Sequence, residues 1–218
     1  MDIVGVTGHA QNGKDTLADY AKEYGYRRYA FADNVRRSLY ALNPIVALAP
    51  QSDPDYIQLS GRASGREGTT LFVGLQAVVD SIGWEAAKQY PNVRKYLQRQ
   101  GTEAVRDIVA PDAWVMALQR ELDRSRHERV IITDVRFPNE AAAITQWGGT
   151  LVRVVRLNED NTAYVKAGLD LSHPSEVFVS QLDVDIEFAC KSLHALQAAA
   201  RSYFSLRVAN PGLGVAAQ

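Results

Sequence analysis

Asp2-Ile3-Val4-Gly5-Val6-Thr7-Gly8-His9-Ala10-Gln11-Asn12-Gly13-Lys14-Asp15-Thr16 is the stretch from which the rest of the chain is read. It begins with a strand-like run, Asp2 to Thr7. Beyond it, from about Lys14 to Tyr24, Leu17, Ala18, Ala21 and Tyr24 recur at helical spacing. Between strand and helix stand two glycines with four residues between them, the second followed by lysine. Glycines let the backbone curl until successive N–H groups point into one hollow. The helix N-terminus adds its partial positive charge and Lys14 a full one, so the segment reads as a cradle for a polyphosphate.

Working outward, the same alternation of strand and helix continues. Arg28-Tyr29-Ala30-Phe31 reads as a short second strand, and Val35, Leu39 and Leu42 mark one face of a helix that ends near Pro44. Residues 44–70 hold Pro44, Pro50, Pro54, Gly61, Gly65 and Gly68 and read as a long loop of the lid or binding kind. Helices are expected over Leu71 to Asp80, from Pro91 through Arg106, and after Asp112, where Trp114, Val115, Leu118 and Leu122 share a face.

Arg129 to Asp134 is a compact apolar run ending in an acid, as expected of a central parallel strand. A helix over Glu140 to Trp147, a Gly148-Gly149 stop and a strand from Thr150 to Arg156 follow. A weaker strand at Val184 to Glu187 precedes a last helix with Leu193, Leu196, Ala200 and Phe204 inward. The pattern predicts an α/β three-layer fold with a central parallel sheet. It is read as one domain over 1–207 with a loop and helical insertion at 44–110, and a loose tail from 208 to 218.

At 218 residues the chain buries a large core, roughly 70 to 75% of its unfolded surface. With 46% hydrophobic and 22% charged residues and a net charge of −1, disordered and collagen-like readings are excluded. So is nucleic-acid binding that depends on bulk positive charge, and any anion must be held locally. Among the 24 basic residues 18 are arginine. Arginine's rigid fork suits phosphate, but genome bias explains the total equally well. Cys190 stands alone, no Cys/His cluster has zinc spacing, and neither a signal peptide nor a long apolar span is seen. A soluble cytoplasmic protein is expected, with no membrane and no stable nucleic-acid partner.

Asp134 stands at the C-terminal end of its strand, where ligands gather in open α/β sheets. It reads equally as a ligand to Mg²⁺ or its water shell and as a helix cap. Arg136, two residues on, suits the charge of a transferring phosphoryl group. Asp15 stands where a Ser or Thr hydroxyl commonly reaches Mg²⁺; it binds metal through water, steers an attacking oxygen or caps the helix, and Thr16 retains a hydroxyl. Asn-Lys-x-Asp is missing and Val-Arg-Phe follows Asp134, which speaks against a GTPase switch.

Five blocks then carry a resemblance that spans Gly8 to Glu176. They are the loop from Gly8 that ends Gly13-Lys14-Asp15-Thr16; Tyr29-Ala30-Phe31-Ala32-Asp33; Gln100-Gly101-Thr102-Glu103 with Arg106 and Asp112-Ala113-Trp114; Asp134-Val135-Arg136-Phe137-Pro138-Asn139-Glu140-Ala141; and His173-Pro174-Ser175-Glu176. Together they resemble the deoxynucleoside monophosphate kinases of tailed bacteriophages, a family of P-loop kinases. The loop over 44–70 and the tail match nothing in that pattern.

The resemblance implies a P-loop NTPase fold with a lid loop. It implies phosphoryl transfer from ATP, with Mg²⁺, to a deoxynucleoside monophosphate, giving dNDP and ADP in nucleotide metabolism that supports phage DNA synthesis. A homodimer is compatible with it. Gly8, His9, Ala10, Gln11, Asn12, Gly13, Lys14, Asp15 and Thr16 hold ATP in this reading, with Arg156 beside them. Asp15, Thr16 and Asp134 organise metal, and Lys14, Asp15, Asp134, Arg136 and the lid's Arg62 form the catalytic set. Asp33, Arg37, Arg66, Arg106, Trp114 and Glu176 meet the acceptor. Solvated first-turn charges account equally for Asp33, Arg36 and Arg37, and a helix N-cap for Ser175 and Glu176. Trp84 and Trp114 suit base stacking or core, and His9 reads as a loop filler. Rival readings keep the cradle and change the acceptor to a phosphorylated metabolite or a modified base in DNA, or bind nucleotide without transfer.

Overall fold

The structure, a computed structural model, describes residues 1–48, 70–169, 171 and 174–210, with backbone alone at 174 and 175. It divides into two compact units, Met1–Phe31 with Val115–Gln218, and Ala32–Trp114.

The first unit is built on five parallel strands: β1 (Asp2–Thr7), β2 (Arg27–Tyr29), β5 (Arg129–Ile132), β6 (Thr150–Arg156) and β7 (Ile186–Cys190). Their order is β2-β5-β1-β6-β7, flanked by helices, an α/β arrangement consistent with a P-loop kinase fold. Alternate side chains feed two cores, as the period of two in a strand requires. Val4, Val6, Ile131, Val152 and Val154 pack with Leu17, Ala18 and Ala21 of α1 (Lys14–Lys22) and Leu196, Ala200 and Phe204 of α8 (Leu193–Ala209). On the opposite face Ile3, Val130, Ile132 and Leu151 pack with Val115, Leu118 and Leu122 of α5 (Ala113–Arg124) and Ala143 and Ile144 of α6 (Pro138–Gln146). A further helix, α7 (Pro174–Gln181), precedes β7.

The second unit holds most of α2 (Phe31–Leu42), an antiparallel hairpin of β3 (Ile45–Leu48) and β4 (Leu71–Gly74), then α3 (Leu75–Ala87) and α4 (Pro91–Gln98). Leu39, Val46, Leu48, Leu71, Leu75, Val78 and Val93 form its core. A π-helical turn, Arg99–Ala104, follows α4 directly. The divisions between units fall inside α2 and α5, and the insertion expected at 44–110 lies within the second unit.

Several expectations are corrected. Leu71 to Gly74 is a strand, not the start of a helix, because Val46 and Leu48 offer it a partner and a shared apolar face. The helix from Pro91 gives way to the π-helical turn at Arg99. The last strand lies at Ile186–Cys190, later than expected. Leu42 and Leu193, expected inward, stand exposed at the ends of their helices. Most of the 44–70 loop and the 211–218 tail lie outside the described residues, and α8 itself continues to Ala209.

Candidate active site: a glycine cradle and the side chains around it

The loop between β1 and α1 is held open by left-handed backbone at Gln11 (φ 65°) and Gly13 (φ 98°) and by Gly8 at φ 144°. Glycine is required on steric grounds as well. A Cβ at Gly8 would stand 2.5 Å from the Val154 carbonyl oxygen, and one at Gly13 2.8 Å from Leu196 Cδ2. Gly13 leads into α1 with no side-chain cap, so the first-turn amides keep their donors for a ligand. Asn12 is buried, and its Oδ1 accepts the Arg156 amide at 2.6 Å, tying the loop to the end of β6.

Lys14 folds back into its own cradle. Its Nζ donates to the carbonyls of Gly8 and His9, each at 2.7 Å. Burial, then the neighbouring Arg136 cation, pull its pKa down to about 8, against the opposing pull of Asp15, Glu176 and Asp134. A polyphosphate entering here would supply the missing negative charge.

Arg136 follows the strand end. Its backbone N–H and that of Phe137 donate to Glu140 Oε2 at 2.8 and 3.1 Å, which fixes the turn that carries the guanidinium. The guanidinium itself pairs with Glu176 Oε1. Glu176 Oε2 lies 2.8 Å from His9 Nδ1, and His9 Nε2 lies 3.0 Å from Ser180 Oγ. The His9 ring is therefore a linked member of the site rather than a loop filler. Burial alone would raise the Glu176 pKa, yet the bonds from His9 and Arg136 outweigh it and hold the carboxyl below its ordinary value.

Asp134 Oδ1 accepts the Phe31 amide at 2.8 Å, so the residue caps the start of α2. Asp15 is exposed on the first turn of α1 and Thr16 half-buried beside it. Among the described residues no three His, Cys, Asp or Glu side chains cluster as a metal cage. Two carboxylates and a hydroxyl are hard oxygen donors, the set Mg²⁺ takes when substrate phosphates complete its shell. These residues fit the ion on that chemistry.

Next to the cradle opens a cleft of about 270 Å³, lined by Gln11 to Gly13, Val154 to Arg156, Cys190 to Leu193 and Leu196. Over Arg156 lies the Tyr164 ring, 4.4 Å from guanidinium carbon to ring centre, and Tyr164 Oη donates to Gln11 Oε1 at 3.2 Å. Within the second unit a separate pocket of about 370 Å³ is lined by Asp33, Arg36, Arg37, Tyr40 and Trp84. Trp84 follows Gly83, whose φ of 75° breaks α3. Arg36 reaches Asp33 at 3.4 Å and Tyr40 donates to Asp80 at 2.7 Å.

Trp114 is buried, its indole N–H donating to the Gly101 carbonyl at 2.8 Å, and it lines neither hollow. Arg106 Nη1 donates to the Pro111 carbonyl at 3.4 Å. Arg62, Arg66 and His173 lie outside the described residues, as does the Ser175 side chain. Tyr164 and Ser180 escape a reading of the sequence, as does the part that Glu140 plays in holding the Arg136 turn. Glu140 left one signal, an acid in the first turn after Pro138, while Tyr164 and Ser180 sit in segments without pattern.

No family model matches the chain. Over 88 residues, 38% of this chain, it is 33% identical to the deoxynucleoside-5'-monophosphate kinase of Escherichia phage T5. That stretch covers 33% of the phage enzyme, so the match spans about a third of the relative's length. No helix among the described residues is long and apolar enough to cross a membrane.

Proposed function

We propose that the chain is a P-loop nucleotide kinase that transfers the γ-phosphoryl group of ATP to a deoxynucleoside monophosphate. The observation that carries the reading is the cradle itself. A lysine donates into a left-handed glycine loop at the C-terminal edge of a parallel sheet, and a cleft of nucleoside size opens beside it. The partial likeness to the phage T5 enzyme supports the acceptor class.

In this reading the amides of the Gly8 to Thr16 segment and Lys14 hold the phosphates. Lys14 exchanges its two carbonyl partners for phosphate oxygens. The nucleoside lies in the cleft bounded by Asn12, Arg156 and Leu193, and Tyr164 holds the Arg156 guanidinium flat. Asp15, Thr16 and Asp134 would hold Mg²⁺, which when bound draws charge from the phosphate oxygens. Arg136 presents its remaining donors to the transferring group. An acceptor phosphate oxygen is already ionised near neutral pH, so alignment and charge neutralisation supply the rate without a strong general base. The Asp33, Arg36, Arg37, Tyr40 and Trp84 pocket offers two cations and an aromatic face, the chemistry a mononucleotide needs.

Steady-state transfer from ATP to a panel of deoxy- and ribonucleoside monophosphates, with phosphorylated metabolites as controls, tests it. The reading expects turnover with at least one deoxynucleoside monophosphate exceeding every control. Turnover with a metabolite alone, or ATP binding with no transfer to any acceptor, contradicts it.

A further inference from the structure

Glu176 is a buried carboxylate beside the cradle, 5% exposed, and its two oxygens go to two different segments. Oε1 pairs with the Arg136 guanidinium, on the turn after β5. Oε2 meets the His9 ring, in the loop after β1, and the His9 backbone carbonyl in turn accepts Lys14 Nζ. A carboxylate in such a place is a poor phosphate ligand, since it would repel the polyanion the site is built to hold. It is equally a poor ligand for an acceptor, because neither oxygen is left without a partner.

What it does offer is a fixed distance. One rigid anion on α7 joins the two segments that carry the site's cations. Only Nη1 of Arg136 is engaged; among the described residues no other protein acceptor takes its side-chain donors. The rest of the fork is thereby presented in one orientation, as two-point recognition of phosphate requires. Ser180, one helical turn along α7, closes the far side of the His9 ring at 3.0 Å.

We infer that Glu176 is a positioning residue, holding Arg136 and the His9 segment of the cradle at the spacing that phosphoryl transfer needs, and touching no substrate itself. The inference rests on the kinase reading for its effect on turnover, but not for its effect on the ligand-free loop.

Glu176→Gln keeps the shape and removes the negative charge that pairs with the Arg136 guanidinium. The expected result is a fall in kcat of about tenfold or more, with the KM for the acceptor and the Kd for ATP changed by less than about threefold. In an Arg136→Ala background the same substitution should cost clearly less than in the wild type, because one of its two targets has gone. Losses that multiply in the double variant overturn the inference. So does a raised acceptor KM at unchanged kcat, which would make Glu176 a substrate ligand. Should Glu176→Gln fail to fold, Glu176→Asp carries the same comparison, being charged but too short to span both partners. A readout without turnover separates this inference from the kinase reading: amide hydrogen exchange at 9–13 in the ligand-free protein should quicken by about fivefold. Unchanged exchange overturns the positioning role even where the wild type proves to be a kinase. Quickened exchange in a wild type that transfers no phosphate sinks the kinase reading and leaves the tie.

Discussion

Lys14 is where charge, burial and function meet. Its pKa near 8 has a definite sign of consequence. The folded, ligand-free protein releases this proton well before the unfolded chain does, so the buried ammonium penalises folding below about pH 8. Stability recovers as pH rises from there toward the ordinary lysine value. Binding works the other way, because phosphates require the ammonium. ATP affinity should hold steady below about pH 8 and fall above it by up to about tenfold per unit, as calorimetric titration across pH would show. Lys14→Arg should flatten that dependence over the same range. The lysine and its glycines were legible from spacing alone. Its partners were not: nothing local places Glu176 or Arg136 beside it, since both arrive from distant elements.

At the scale of elements, the sheet decides what was readable. β1, β5 and β6 announce themselves as short apolar runs ending in glycine, an acid or arginine, and their alternate residues fill two distinct cores. The β3–β4 hairpin was hidden, because Leu71-Phe72-Val73-Gly74 is as good a helix start as a strand until Ile45–Leu48 pairs with it. The turn after β5 shows how an element aims a side chain. Glu140, 2% exposed, takes the amides of Arg136 and Phe137 from the first turn of α6. Glu140→Ala should cost about 2–3 kcal/mol in urea unfolding through two orphaned donors, and should lower kcat more than it weakens ATP binding. An unchanged urea midpoint would mean those amides find water instead.

Across the first unit, the end of the sheet opposite the cradle is locked by a separate network. Arg207, near the C-terminal end of α8, donates through Nε to Asp2 Oδ1 at 2.7 Å and through Nη1 to Thr150 Oγ1 at 2.7 Å and Tyr203 Oη at 2.9 Å. Tyr26 also donates to Asp2, and burial followed by that bond pushes its phenol pKa up. Arg207→Ala should destabilise the protein by about 3 kcal/mol, at the low end for a buried pair because Asp2 is partly open to water. Because these groups join the starts of β1 and β6, ATP affinity in the folded variant should be unchanged; a parallel loss of affinity would show the two ends to be coupled. The helical period of α8 was plain in the sequence, but no pattern marks an arginine as buried.

The most direct test is a crystal structure with a non-hydrolysable ATP analogue. Phosphate oxygens should lie within hydrogen-bond distance of the amides over Gly13 to Thr16, with Lys14 Nζ turned away from the Gly8 and His9 carbonyls toward them. A fully occupied analogue bound elsewhere, with Nζ still on those carbonyls, would show that the hollow is not a phosphate site.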